Sequence, residues 1–236
     1  MIDRIKKVFV LLKSKFYNKY SEEDIYYKKL FIDNPNWNKP DPNEEEILRW
    51  NIINKFLINV KNNFENNSID ILDLGSGRGW LTNLLSEHGN VLGIEPIECV
   101  VNYAKKMFPN LNFFCGTTTD LLNDKKYKRY DLIVSSEVIE HISDENKGAF
   151  IKDINKLLNV NGFLILTTPR KEAQEEWNFY MNPDQPIEDW ILEKELEELV
   201  TQNSFVKIEL ERFSISPVLN AAEIEIYQLW LFKKND

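Results

Sequence analysis

Three glycines at alternate positions, Gly75, Gly77 and Gly79, constrain what this chain can fold into more than any other feature. They lie in ILDLGSGRGW, where Ile71, Leu72 and Leu74 bracket Asp73 and read as the end of a buried strand. Glycine lets the backbone turn sharply and approach a ligand, because no Cβ stands in the way. Leu81, Leu84 and Leu85 then repeat at helical spacing and predict a helix from about Trp80 to His88. After Gly89, VLGIE predicts a second short strand ending in Glu95, 20 residues beyond Gly75. A strand, a glycine turn, a helix and a strand ending in an acid form half of a nucleoside-binding α/β unit, with the acid at reach for ribose hydroxyls.

The spacing narrows the nucleoside. A dinucleotide fingerprint places its third glycine three residues after the second, and here that position is the bulky Trp80. No P-loop lysine pair is present. DLGSGRG followed by GIEP instead resembles the first two motifs of the class I S-adenosylmethionine-dependent methyltransferases, and LLNVNGFLILTTP resembles their third. The resemblance covers about residues 69 to 232 and implies an α/β fold. Its expected form is a Rossmann-like, seven-stranded, mostly parallel sheet with helices on both faces. It also divides the chain into an N-terminal helical extension, residues 1–68, and an S-adenosylmethionine-binding domain, residues 69–236. On this resemblance the cofactor contacts are Asp73, Gly75, Ser76, Gly77, Glu95 and Pro96. To these it adds Thr117 and Thr118 in the adenine-side turn, and Ser136 at the end of the fourth strand. The family's usual Asp in the adenine-side turn is replaced by threonines.

Beyond the motifs, 236 residues with 43 % hydrophobic content bury a full core in one α/β domain. The net charge of −9 offers no general attraction to phosphate backbones, which disfavours a nucleic-acid partner. Cys99 and Cys115 form no C-x-x-C pair, which points to reduced thiols in a cytoplasmic protein. No run of 18 apolar residues predicts a transmembrane helix, and MIDRIKKVFVLLKSKF, with no small-residue cleavage site, argues against a signal peptide. Residues 1–20 carry six cationic residues against Asp3, with Ile2, Ile5, Phe9, Leu12 and Phe16 on one helical face. Such a helix either packs over the domain or a second subunit, or lies peripherally on the inner face of an anionic membrane.

Further along, Ser21 to Ile32 predicts a second short helix, NPNWNKPDPN a proline-dense loop, and Asn43 the cap of a helix running to about Val60. Trp37 in that loop is a candidate wall of a substrate pocket. Residues 169–189 read as an irregular insertion, and their aromatics Trp177 and Tyr180 join Trp37 as pocket candidates suited to a small molecule. An acidic helix, Glu193 to Thr201, and two alternating strands close the chain.

The chemical candidates are Glu137, Glu140 and His141, the E-x-x-E-H after the fourth strand, which share one face if the turn is helical. A hydroxyl acceptor needs its proton removed, and His141 oriented by a glutamate is a suitable general base. The same trio also fits a divalent-metal site of two carboxylates and an imidazole. Similar trios occur in the ubiquinone-biosynthesis-like O-methyltransferases and in the small-RNA 2′-O-methyltransferases, the latter with a further histidine ligand. The chain's only other histidine, His88, lies in the helix after the glycine turn, which favours the base over the metal. The resulting expectation is methyl transfer from S-adenosylmethionine to a hydroxyl of a small molecule such as a sugar, glycan precursor or quinone-like acceptor. The alternatives are a nucleic-acid or protein methyltransferase and a non-catalytic cofactor-binding module.

Overall fold

The computed structural model describes residues 21–64, 68–125, 127–181 and 185–235. The basic N-terminal stretch, residues 1–20, lies outside the described residues. Among the described residues, no helix is long and apolar enough to cross a membrane.

Seven strands form one sheet in the order β3-β2-β1-β4-β5-β7-β6. They are β1 (Ile69–Leu74), β2 (Gly89–Glu95), β3 (Asn112–Cys115), β4 (Tyr130–Ser136), β5 (Leu158–Pro169), β6 (Phe205–Ile215) and β7 (Ile224–Lys234). The first five run parallel, and β7 is antiparallel to both β5 and β6. The expected mostly parallel sheet with a closing hairpin is therefore present.

Alternation along each strand splits the core into two layers, because successive side chains point to opposite faces. Ile71, Val134, Ile165 and Leu229 face helix α2 (Glu44–Lys61) and helix α3 (Trp80–Leu85). Their neighbours Leu72, Ile133, Leu164 and Trp230 face helix α6 (Asp144–Leu157) and helix α8 (Glu193–Thr201). Covering on both faces is what makes these strands read as continuous apolar runs. Helix α4 (Glu98–Met107) and the one-turn α5 (Thr118–Asn123) complete the crossovers on the β3 side.

Ile53, Phe56, Leu57 and Val60 of α2 are fully buried in one cluster with β1 and β5 side chains. Two expectations change. The helix after the glycines stops at Leu85 rather than His88, because Ser86 turns its hydroxyl back onto the Asn83 carbonyl at 2.6 Å. Residues 169–189 are not irregular throughout: a 3₁₀ turn (Lys171–Ala173) leads into helix α7 (Gln174–Tyr180), seated by the buried Trp177.

Helix α1 (Glu22–Lys28) starts at a capping box in which Ser21 and Asp24 bond each other's backbone, and a π-helical turn (Lys29–Asp33) continues it. Asn43 caps α2 through the same reciprocal arrangement with Glu46, as its sequence position predicts.

Candidate active site

Strand order reverses between β1 and β4, and the crevice outside the carboxyl ends of the strands at such a point is where open α/β sheets bind ligands. A cavity of about 530 Å³ opens there. Gly75 and Gly77 form its floor, and they and Gly79 behind them take φ of 78°, 49° and 90°, the left-handed region that side chains avoid. A Cβ on Gly75 would stand 2.3 Å from Val138 Cγ2, so that turn admits no larger residue.

Glu95, at the end of β2, is 7 % exposed and lines the same cavity. It accepts from the Gly77 amide at 3.1 Å and from the Ile97 amide at 3.1 Å. A carboxylate offers about four lone-pair sites, so two remain for hydroxyl donors. Burial raises its pKa to about 7 against the pull of those two amides. Asp73 is held beneath the turn by Thr82, whose hydroxyl donates at 2.5 Å, and burial raises its pKa to about 7 as well. Ser76 Oγ is buried without a partner in the same wall. An acid with free lone pairs, an orphaned hydroxyl and a glycine floor fit the nucleoside end of S-adenosylmethionine.

Most of the residues singled out from sequence meet here. Asp73, Ser76, Glu95, Pro96, Thr117, Ser136, Trp37 and Trp177 line the cavity, as do Glu137, Glu140 and His141. Two do not. Thr118 is buried outside the wall and reaches Asp153 on α6 at 3.4 Å. Tyr180 is 41 % exposed and packs edge-on against the exposed Phe179 instead.

The E-x-x-E-H segment is not a single helical face. Glu137 takes φ 56° at the end of β4, and only a 3₁₀ turn, Ile139–His141, follows. Two adjacent threonines of β5 nevertheless gather the acids: Thr167 donates to Glu137 at 2.7 Å and Thr168 to Glu140 at 2.9 Å. Burial raises both carboxyls to about 8, opposed at Glu137 mainly by Arg49, whose Nη2 stands 3.5 Å away. His141 Nδ1 lies 3.1 Å from the Ile187 carbonyl. A carbonyl only accepts, so Nδ1 carries the proton and Nε2 is left bare in the neutral ring. Nε2 faces Glu140 at 3.8 Å. Among the described residues, no group of three His, Cys, Asp or Glu is arranged to hold a metal ion.

Two features of the site went unread in the sequence. Arg78, inside the glycine turn, is fully buried and forms a two-pronged ion pair with Glu46 of α2 at 2.7 and 2.6 Å. It also donates to the Lys39 and Asp41 carbonyls, fastening the proline-dense loop to the turn. The only signal was a charged residue between two glycines. Above the floor, Tyr27 and Phe31 stack on each other, Phe31 covers Gly77, and Tyr27 meets His141 edge-on at 6.1 Å. Burial, then Glu95 and Glu140, push the Tyr27 hydroxyl well above its usual range.

This fold and floor define a class. Residues 49–210 match the family model described as "Methyltransferase domain". The chain belongs to that family, the class I S-adenosylmethionine-dependent methyltransferases. Among curated proteins it is 33 % identical over 129 residues to the ubiquinone biosynthesis O-methyltransferase of Pelagibacter ubique, covering 52 % of this chain and 51 % of that one. The corresponding Bradyrhizobium diazoefficiens protein is 26 % identical over 156 residues, covering 56 % and 60 %. The chain thus spans about half the length of the curated relatives it matches. Among solved structures, N-methyltransferase NodS from Bradyrhizobium japonicum, in complex with S-adenosylhomocysteine, superposes with a TM-score of 0.65. The two share 17 % identity over 92 % of this chain and all of that one. Magnesium protoporphyrin IX methyltransferase from Synechocystis, with bound S-adenosylmethionine, gives 0.64 at 13 % identity over the same shares.

Proposed function

We propose that the protein transfers a methyl group from S-adenosylmethionine to a hydroxyl of a small molecule. The observation that carries this reading is His141, whose bare Nε2 and backbone-anchored Nδ1 face the same cavity as Glu95 and the glycine floor. The cofactor supplies a methyl already activated on a sulfonium. Everything else falls to the chain. Glu95 takes the ribose hydroxyls on its free lone pairs, and Gly77 leaves room for the nucleoside to lie against the backbone. His141 Nε2 removes the acceptor's proton, while the Ile187 carbonyl holds Nδ1 and keeps the ring in place. Tyr27 and Phe31 close the cavity from above and exclude water. Holding acceptor and methyl in contact supplies much of the rate, since positioning replaces a bimolecular encounter.

The O-methyltransferase names of the curated relatives support a hydroxyl acceptor. A test combines calorimetry with S-adenosylmethionine and NAD, and transfer of a labelled methyl to sugar, quinol and RNA acceptors. Binding of S-adenosylmethionine alone, with label in a small hydroxylated acceptor, is the expected result. Binding of NAD, or label only in RNA, would overturn it.

A further inference from the structure

The wall around Glu137 and Glu140 keeps three polar atoms that the chain itself does not satisfy. Arg49 is 4 % exposed and its Nη2 is held by Glu45 at 2.7 Å, yet its Nε meets nothing. Gln185 Oε1 and Glu188 Oε2 are buried acceptors in the same cavity, also without partners. Buried polar atoms are normally paired, so an orphaned donor and two orphaned acceptors in one wall mark where a ligand's groups belong. Trp37 and Trp177 line the same cavity.

Three orphans of opposite sense ask for several groups that both donate and accept. A hydroxyl does both. A phenolic or quinoid ring carries one or two such groups and apolar edges elsewhere, which would leave orphans dry. A sugar ring carries hydroxyls around its rim and C–H faces that suit a tryptophan. Charge narrows the class further. The guanidinium of Arg49 is already paired with Glu45 and faces Glu137, and that of Arg78 is paired with Glu46, so among the described lining residues no free cation awaits an acceptor bearing its own carboxylate or phosphate. Resting on the hydroxyl-methylation reading, we propose that the acceptor is an uncharged carbohydrate, held by Arg49 Nε, Gln185 Oε1 and Glu188 Oε2 in the cavity that Trp37 and Trp177 also line.

The test uses the full chain saturated with S-adenosylhomocysteine, and follows tryptophan fluorescence during titration. The probes are methyl glycosides of glucose, galactose, mannose, rhamnose and N-acetylglucosamine, with catechol and 3,4-dihydroxybenzoate alongside. At least one glycoside should bind, and Gln185→Leu and Glu188→Leu should each weaken it about tenfold or more, as expected for loss of a buried hydrogen bond. Calorimetry with S-adenosylhomocysteine should be unchanged in both variants, which separates loss of the subsite from loss of the fold. Binding of the phenols alone, binding of no probe, or glycoside affinity unchanged in both variants would overturn the carbohydrate assignment while leaving methyl transfer standing. Failure of S-adenosylhomocysteine to bind the unaltered protein would overturn the parent reading, and this one with it.

Discussion

At single residues, the proposed chemistry rests on bonds that fix the state of a side chain. Because Ile187 offers His141 only a carbonyl, the imidazole tautomer is set by the backbone rather than by Glu140. His141→Ala should therefore lower the methyl-transfer rate by about 10²–10⁴-fold while cofactor affinity in calorimetry stays unchanged. Chelator should have no effect, since the base needs no ion. Loss of activity on chelation, with Glu137→Gln and Glu140→Gln as damaging as His141→Ala, would restore the metal reading. Glu95→Ala should weaken S-adenosylmethionine binding by about 1.5–3 kcal/mol, the range for hydrogen bonds to a charged group. An unchanged dissociation constant would remove Glu95 from the ribose site. Both residues stand out as candidates in the sequence, Glu95 as the acid that ends β2 and His141 as the histidine that follows β4. The Ile187 contact does not, since 46 positions separate the partners.

At the level of elements, a buried ion pair fastens the glycine turn to its neighbours. Arg78 belongs to the glycine turn and Glu46 to the first turn of α2, so the pair ties the proline-dense loop and α2 to the cofactor floor. Removing one partner leaves the other charge buried and alone. Glu46→Leu should thus cost about 3–5 kcal/mol in urea unfolding, while a Glu46→Leu, Arg78→Met double variant should recover part of the loss. Gly77→Val is a different kind of test. Its φ of 49° strains any side chain, and a Cβ there would stand 3.1 Å from the Phe31 ring. Cofactor binding should vanish in that variant, and truncating Phe31 to Ala should not restore it, because the backbone strain remains. Recovery in the double variant would assign the effect to the roof alone.

The whole molecule gathers four buried carboxyls at one end of the sheet. Burial raises Asp73 and Glu95 to about 7, and Glu137 and Glu140 to about 8. The native state therefore binds more protons than the unfolded chain between the ordinary carboxyl values and these raised ones. Stability then falls as pH rises through that window, from about 4.5 to about 8. Melting of the ligand-free protein should shift to lower temperature between pH 5 and pH 8, and the slope should shrink in Glu137→Gln and Glu140→Gln. A flat profile over that range would contradict the burial of these acids. Asp120, Asp144 and Glu193 act in the opposite sense, being held below their usual values by Thr117, Lys147 and Arg212 respectively. Their contribution is lost only on acidification below those values.

Local pattern alone determined the class of fold and the cofactor floor. Apolar runs buried on both faces, glycines where φ is positive, Asn43 as a cap and Glu95 at a strand end each express a short-range rule that acts within a few residues. The helix α7 was hidden because seven residues around one buried tryptophan leave too little periodicity to read. The misplacement of Tyr180 and Thr118 has the same origin: periodicity says which residues share an element, but not which way its face turns. Tertiary structure decided what depends on distant partners. It seated α2 in the core, joined Arg78 to Glu46 across 32 positions, laid Phe31 over Gly77 and set Tyr27 against His141. It also used two threonines of β5 to draw together glutamates that no helix aligns. Burial is the common reason, because an ion pair, a raised pKa and an orphaned guanidinium nitrogen exist only once the chain has excluded water around them.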